Sequence, residues 1–511
     1  MFEKIVVANR GEIALRVMRT CAEMGVATVA IYSDADKHAL HTKYAAESFN
    51  VGPGPSLQSY LNSDRIIDIA KETGAEAIHP GYGFLAENSK FARKCAENNI
   101  VFIGPDATAM ENSGDKISSR KLVKKQGIQV TPGSDEAVDE NNALEIANEI
   151  GYPVILKSSG GGGGISMGVV EDKDELLKKL ETARTSSISA FGDSNIFIEK
   201  YLYKPRHIEF QILADTHGNI IHLGERECSI QRRFQKLIEE APSVVVNDSI
   251  REEIGERAVE IARAANYSNA GTIEFLYTGN EFYFNEVNAR LQVEHPITEM
   301  ITSTDLVKQQ LRIAAGEELE HVQKDITYKG WATECRINAE DPYNNFLPSA
   351  GTLNYYEPPG SIGVRIDSGV VAGSQIPTFY DPLFAKIITW SGTRERSVER
   401  MIRALKETTI RGIMTNIPFH IAVLETSAYR EGDIDTLFLK RNRIIETMRE
   451  EGKRKMDDMT VKAAAIAAAL SHLKGGIKKY VPDGANRDLP CPRSSWRARG
   501  RNEHVSRGLK R

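Results

Sequence analysis

Apolar and polar positions along this chain follow two periods that alternate from the N-terminus on. Residues 4–8 (KIVVA) predict a short strand, residues 9–12 a loop, residues 13–24 a helix and residues 26–32 a second strand. Strand, helix and strand in that order open a doubly wound α/β unit. Gly11 stands alone there and makes no GxGxxG fingerprint. A helix over 63–73 and a strand over 77–79 continue the unit, and a loop rich in glycine and aromatic residues follows from Pro80 to Asn88 (PGYGFLAEN). At a strand's carboxyl end such a loop fits a ligand crevice, and a tight structural turn accounts for its composition equally well. Further helices are predicted over 115–125, 140–150 and 174–185, and strands over 152–157, 195–200 and 207–213. In the last of these His207, Glu209 and Gln211 share one face, and Ile208, Phe210 and Ile212 the other.

The pattern carries most at residues 283–296 (YFNEVNARLQVEHP). From Glu286 on, every second side chain is polar (Glu286, Asn288, Arg290, Gln292, Glu294), set over Val287, Ala289, Leu291 and Val293. In an extended chain these groups project from one face. A solvated strand face is one reading; both charge signs in close register also suit a site for metal and phosphate. A straight strand at about 3.3 Å per residue would spread them over more than about 20 Å. A shared site therefore needs the alternation to hold only at its start. Strands over 271–277 and 281–287 flank Thr278-Gly279-Asn280, a hairpin signal. A loop over 279–281 sets Glu274 opposite Glu286, whereas a two-residue loop puts these carboxylates on opposite faces unless a bulge intervenes.

Other stretches add candidate chemistry. Residues 160–164 are five glycines between two strand-like runs, just after Lys157. Glycine lets backbone N–H groups approach phosphate oxygens. No GK[ST] closes the run, so a mobile flap over a nucleotide fits better than a P-loop. Residues 228–242 carry Arg232, Arg233 and Lys236 beside Glu239 and Glu240, which suits a solvated face and a substrate-anion site alike. A helix is expected over 305–315, and an alternating strand over 331–342 sets Arg336 on a polar face with Glu334 and Asn338. The chain to about residue 435 reads as strand-rich, then helical. From Gly452 an alanine-rich helix passes at Lys474 into a basic, aperiodic tail expected to be disordered.

Composition narrows the class. At 511 residues the chain has room for two to four domains, and a net charge of −5 gives no general attraction to nucleic acid or membrane. Five scattered cysteines without a CxxC pair suit a reducing, cytoplasmic setting. The first residues run directly into a strand, so no secretory leader is expected, and no apolar run approaches a membrane span.

Residues 8–14 (ANRGEIA), residues 79–88, the glycine run, residues 286–296 and residues 334–342 occur in the order found in the biotin carboxylase component of biotin-dependent carboxylases, and over about residues 1–447 the chain resembles that family. The resemblance implies an α/β and α+β multidomain fold: an N-terminal doubly wound α/β domain (1–114), an ATP-grasp fold (115–330) with a mobile lid (about 131–203), and a C-terminal β-rich domain (331–447), followed by a helical and then basic tail (448–511). It implies ATP, Mg²⁺ or Mn²⁺, and biotin held covalently on a separate chain. Carried over by motif, Lys116, Lys157, Gly162, Gly163, Gly164, Glu199, Lys200, Leu202, His207 and Gln231 match ATP positions. Glu274, Glu286 and Asn288 match metal positions, and Arg290, Gln292 and Val293 the bicarbonate cradle. Glu294 matches the base that deprotonates bicarbonate, Arg336 the group that stabilises biotin's developing enolate, and Lys236 a cation near phosphate and bicarbonate. Phe234 stands where some members have a histidine, and residues 165–168 (ISMG) replace a more basic, glycine-richer pattern. No Ala-Met-Lys-Met biotinylation motif is present, so the carrier and the carboxyltransferase are expected on a partner chain. That layout resembles the ATP-binding subunits of archaeal-type pyruvate carboxylases and also fits acetyl-CoA or propionyl-CoA carboxylases. A homodimer within a larger complex is implied.

Overall fold

Five apolar runs assemble the N-terminal sheet: β1 (Lys4–Val7), β2 (Ala27–Ser33), β3 (Glu47–Gly52), β4 (Ala77–His79) and β5 (Val101–Phe102). All pairs are parallel, in the order β3-β2-β1-β4-β5. Parallel strands bury both faces, which is why β1 reads as an unbroken apolar run. Ile5 and Val7 pack with Ile13 and Val17 of the helix Gly11–Glu23, while Val6 and Ala8 pack with Ile66 and Phe91 on the other face. Gly11 and Glu12, expected in a loop, open that helix instead, with Gly11 at φ +66°. Strand order reverses between β1 and β4, so the loops leaving their carboxyl ends meet. There the Asn9 amide donates to the carbonyls of Pro80 and Tyr82, each at 2.7 Å. Gly81, at φ +64°, lies so close that a Cβ would sit 2.9 Å from the Asn9 side chain.

This computed structural model describes residues 1–114, 116–158, 167–191 and 194–476. The Lys116 side chain, Gly162, Gly163 and Gly164, residues 165–166 and the basic tail lie outside the described residues. Residues 1–451 form one compact body, and the second begins at Gly452. The chain described ends in the helix Ile444–Gly476, which includes the alanine-rich segment. No helix among the described residues is long and apolar enough to cross a membrane.

A small antiparallel sheet follows in sequence, ordered β7-β6-β8, from β6 (Val154–Ser158), β7 (Gly168–Val170) and β8 (Ile196–Lys200). The helices Ala143–Ile150 and Lys173–Phe191 supply its core through Ala147, Leu176 and Leu180.

The third sheet carries the chemistry. Its strands are β9 (Arg206–Ala214), β10 (Ile220–Arg232), β11 (Gln235–Ala241), β12 (Asn269–Thr278), β13 (Glu281–Asn288), β14 (Trp331–Asn338), β15 (Val364–Ser368) and β16 (Leu383–Ser391). They pair antiparallel in the order β13-β12-β9-β10-β11-β14-β16-β15. The sheet is thus continuous across residues 330 and 331, where β14 adds to β11. Ile208, Phe210, Ile273, Phe275, Phe284 and Val287 turn to one face and bury with Ile254, Ala258 and Ile261 of the helix Asp248–Ala264. Burying each large side chain contributes about 1.5–3 kcal/mol, and their alternation leaves the intervening polar residues together on the opposite face. Residues 228–242 form a tight hairpin there, turning at Arg233 and Phe234, with Arg232 paired to Gln235.

Candidate active site

The site begins with an irregularity in a hairpin. Thr278 pairs with Glu281 across a two-residue turn at Gly279 and Asn280, both at positive φ as a primed turn requires. That register alone would separate Glu274 from Glu286. The pairing shifts beyond Phe275–Phe284, and Glu274 lies opposite Glu286. Asn285 is the extra residue of a β-bulge. The side chains confirm the shift of phase, since Phe282 and Phe284 before the bulge and Val287 and Ala289 after it all join one core. Asn288 ends the strand, and its amide donates to Glu274 Oε1 at 2.9 Å.

Beyond Asn288 the chain leaves the sheet, as a common site demands. Residues 289–294 form a loop that passes into the helix His295–Thr302, with Glu294 at its N-cap. Leu291 is fully buried and pins the middle of the loop in the core beneath the N-terminal sheet. Arg290 spans its neighbours, donating to Asn288 Oδ1 at 3.1 Å and Gln292 Oε1 at 3.0 Å. Glu87, from the glycine-rich loop after β4, lies 3.0 Å from Arg290 Nε and accepts the Ala289 N–H at 3.1 Å. The Val293 carbonyl accepts from Lys386 Nζ at 2.7 Å.

One ammonium gathers the carboxylates. Lys236 Nζ lies 2.5 Å from Glu209, 2.8 Å from Glu274 and 2.8 Å from Glu294. The second oxygen of Glu294 meets Arg336 Nη2 at 2.9 Å, and Arg336 Nε takes Glu239 at 2.6 Å. Arg226, also fully buried, reaches Glu209 at 2.5 Å and Gln211 at 2.7 Å. His207 Nε2 stands 3.0 Å from Glu274. Burial alone would push these carboxyls up. For Glu294, the cations Lys236, Arg336 and Arg226 reverse that and hold it well below the usual carboxylate range. Lys236 and His207 do the same for Glu274. Burial opposes charge on His207, yet Glu274 outweighs it and raises the ring above an ordinary histidine. Glu239, fully buried beside Arg336, is instead pushed up to about 7, chiefly by burial.

The expected nucleotide groups divide between this face and the small sheet. Lys157 on β6 and Glu199 on β8 pair at 2.5 Å, Arg120 adds to Glu199 at 3.0 Å, and Lys157 also reaches Asn285 Oδ1 at 3.3 Å. The two sheets therefore touch at the bulge. Lys200 is turned to the carbonyls of Gly151 and Tyr152, at 2.9 and 3.1 Å, and Gln231 donates to the Cys228 carbonyl at 2.8 Å. Leu202 is half-buried just after β8. Asn285, Glu87, Arg226, Glu239 and Lys386 were not among the expected site residues. Of these Glu87 carried a local signal as the one carboxylate in the glycine-rich loop, Glu239 as a neighbour of Lys236 in the stretch 228–242, and Asn285 as a break in alternation; Arg226 and Lys386 carried none.

Chemically, the face sets Glu274 opposite Glu286, with the Asn288 amide N–H on Glu274 and its oxygen on Arg290; these residues carry the oxygen donors that hard divalent cations take. Lys236, Arg290 and Arg336 provide positive charge for an anion, and Glu294, ionised at the end of the loop, is a candidate base.

Sequence models of three families match this chain: biotin carboxylase, N-terminal domain, over residues 1–110; carbamoyl-phosphate synthase L chain, ATP binding domain, over 115–322; and biotin carboxylase C-terminal domain, over 334–441. A pyruvate carboxylase subunit of Methanothermobacter thermautotrophicus is 55% identical over 445 residues, which cover 87% of this chain and 90% of that one. Biotin carboxylase 1 of Bacillus subtilis is 50% identical, covering 86% and 98%. The biotin carboxylase domain dimer of Hydrogenobacter thermophilus 2-oxoglutarate carboxylase, solved with MgADP, ADP and bicarbonate, superposes with a TM-score of 0.85 at 48% identity, covering 87% of this chain and 98% of that one. The multidomain ATP-grasp architecture is the one the motifs implied, and the chain belongs to the biotin carboxylase family.

Proposed function

We propose that this chain is a ligase that carboxylates carrier-bound biotin with bicarbonate at the expense of ATP, through carboxyphosphate, as the ATP-binding component of a multi-subunit pyruvate carboxylase. The observation that carries this reading is the setting of Glu294, whose carboxylate spans Lys236 and Arg336 at the end of the loop bearing Arg290, Gln292 and Val293. Bicarbonate is a poor nucleophile until it loses its proton, so a positioned carboxylate has a task there. Lys236 and Arg336 keep Glu294 ionised but weakly basic. An anion that draws both cations onto its own oxygens raises the basicity of Glu294 at the moment the proton must move.

Arg290, Gln292 and Val293 would cradle bicarbonate; Lys157 and Lys236 would neutralise phosphate charge, most of what phosphoryl transfer asks of a protein. Lys116, Glu199, Lys200, Leu202, His207, Gln231 and the glycines 162–164 would hold ATP, and a lid over about 131–203 would keep water from carboxyphosphate. Glu274, Glu286 and Asn288 would hold Mg²⁺ or Mn²⁺, which supplies charge neutralisation at the phosphates. Arg336 would stabilise negative charge on biotin's ureido group. The domain division at residues 114, 330 and 447, a cytoplasmic setting, a homodimer and a separate chain carrying biotin and the carboxyltransferase belong to the same reading. The relatives named for pyruvate carboxylase and for a biotin carboxylase dimer support it.

The test is biotin-dependent ADP formation with bicarbonate. Glu294→Gln should nearly abolish it while ATP still binds; full turnover by that variant would refute the base. Stimulation by ammonia in place of biotin would move the chain to the carbamoyl-phosphate type. Identifying the biotinylated chain that co-purifies, and the acceptor the pair carboxylates, decides between pyruvate and an acyl-CoA.

A further inference from the structure

A lysine far along the chain reaches beneath the bicarbonate loop. Lys386 lies on β16 and is fully buried, which is rare for a lysine unless it is paired. Its shortest contact is to a backbone oxygen, the Val293 carbonyl at 2.7 Å. Glu12 stands 3.2 Å away and Asp367 4.0 Å, and Glu12 also accepts the Tyr82 hydroxyl. Directly across the ladder from Lys386 is Arg336. Like charges so placed repel. The two cations divide their work between consecutive residues: Arg336 takes the Glu294 side chain and Lys386 the backbone just before it.

We infer that Lys386 is a positioning residue for bicarbonate, which sets the 293–294 peptide and through it the cradle and the Glu294 carboxylate. A trans peptide points its C=O and N–H in opposite directions, so fixing the Val293 carbonyl on Lys386 also fixes the Glu294 N–H, facing away from it. Glu12, at the start of the first helix, and Asp367 on β15 hold the ammonium by charge, so residues from the N-terminal α/β unit and from the far end of the eight-stranded sheet converge on this one peptide. Burial opposes charge on Lys386, and Glu12, Glu334 and Asp367 outweigh it, so the donor keeps its protons throughout the neutral range. A role in general packing would loosen ATP and bicarbonate binding together; a positioning role acts on bicarbonate alone.

The inference rests on the bicarbonate reading above, and its test separates the two. In the full chain, Lys386→Met removes the donor and keeps the length. The KM for bicarbonate should rise about tenfold, as loss of a hydrogen bond from a charged donor implies. The KM for ATP should stay unchanged. Glu12→Gln, which keeps an acceptor but removes its charge, should shift the bicarbonate KM the same way by less, and it decides the matter if the first variant does not fold. An unchanged bicarbonate KM in the folded variants, or an equal rise in the ATP KM, overturns the inference and leaves the proposed function standing. A wild-type chain without bicarbonate-dependent ATP cleavage overturns that function and the inference with it.

Discussion

Glu274 lies directly across the hairpin from Glu286, and Asn285, one residue too many for a regular ladder, is what brings them into line. Asn285 is tied into the site itself, through Lys157 at 3.3 Å and Glu274 at 3.5 Å. Inserting one residue after Asn285, with the bulge kept, should turn Glu286 and Asn288 to the core face, with Val287 turned out of it, whereas deleting Asn285 should leave a plain ladder with Glu286 still opposite Glu274. The insertion should lose metal-dependent nucleotide binding, measured by calorimetry, with a stability loss of about 2 kcal/mol or more from Val287, and the deletion should keep that binding. Asn285→Ala keeps the residue count and should keep the metal.

Lys236 is the only ammonium shared by Glu209, Glu274 and Glu294 among the described residues. Lys236→Gln should cost about 3–5 kcal/mol, the scale for breaking a buried ion pair. The sign with pH follows from the carboxyls. Glu274 and Glu294 sit below their ordinary range in the native chain, so their contribution is present above that range and lost as pH falls. The gap between wild type and variant in urea denaturation should therefore be widest near neutrality and shrink below about pH 4.5. A gap that widened on acidification would contradict the tripod.

Buried histidines set a second pH dependence. Burial lowers His79 to about 3 and His420 to about 4. His420 meets the Arg336 carbonyl at 2.7 Å as a neutral ring, so its Nε2 carries the proton and donates it. An unfolded histidine protonates near pH 6.5, so the stability these rings supply is full above that value and falls away towards pH 4. Each should remove about 2 kcal/mol by pH 5. His420→Gln should flatten the fall in melting temperature between pH 7 and pH 5; an unchanged slope would mean the ring already titrates in the fold.

Much of this architecture can be read from local pattern, because apolar periodicity is a local signal. The helix Ser63–Thr73 and the strand Ala77–His79 fall where their residues predict. The bulge has a local trace too: between Phe284 and Val287 the sequence places two polar residues in a row, Asn285 and Glu286, where strict alternation allows one. What local pattern cannot supply is partnership. Nothing near Lys236 distinguishes it from Arg232, which stacks on Phe346, or Arg233 at the turn; its three carboxylates come from β9, β12 and the loop at 294. Arg226 and Lys386 escape notice for the same reason: Arg226 between Glu225 and Glu227, and Lys386 in an apolar strand, are ordinary basic residues until the sheet gives them neighbours.

The grip of Lys236 on Glu274 and Glu294 also makes the protein's own charge the first competitor of its ligands. A divalent cation taking Glu274 would relieve Lys236 of one carboxylate, and a bicarbonate taking Lys236 would relieve Glu294 and Glu274 of their ammonium. Each ligand thereby removes part of the cost of admitting the other. By thermodynamic reciprocity the two affinities strengthen each other by the same factor. On the proposed ligand positions, the shared ammonium would favour the metal-loaded nucleotide and its anion binding as a set.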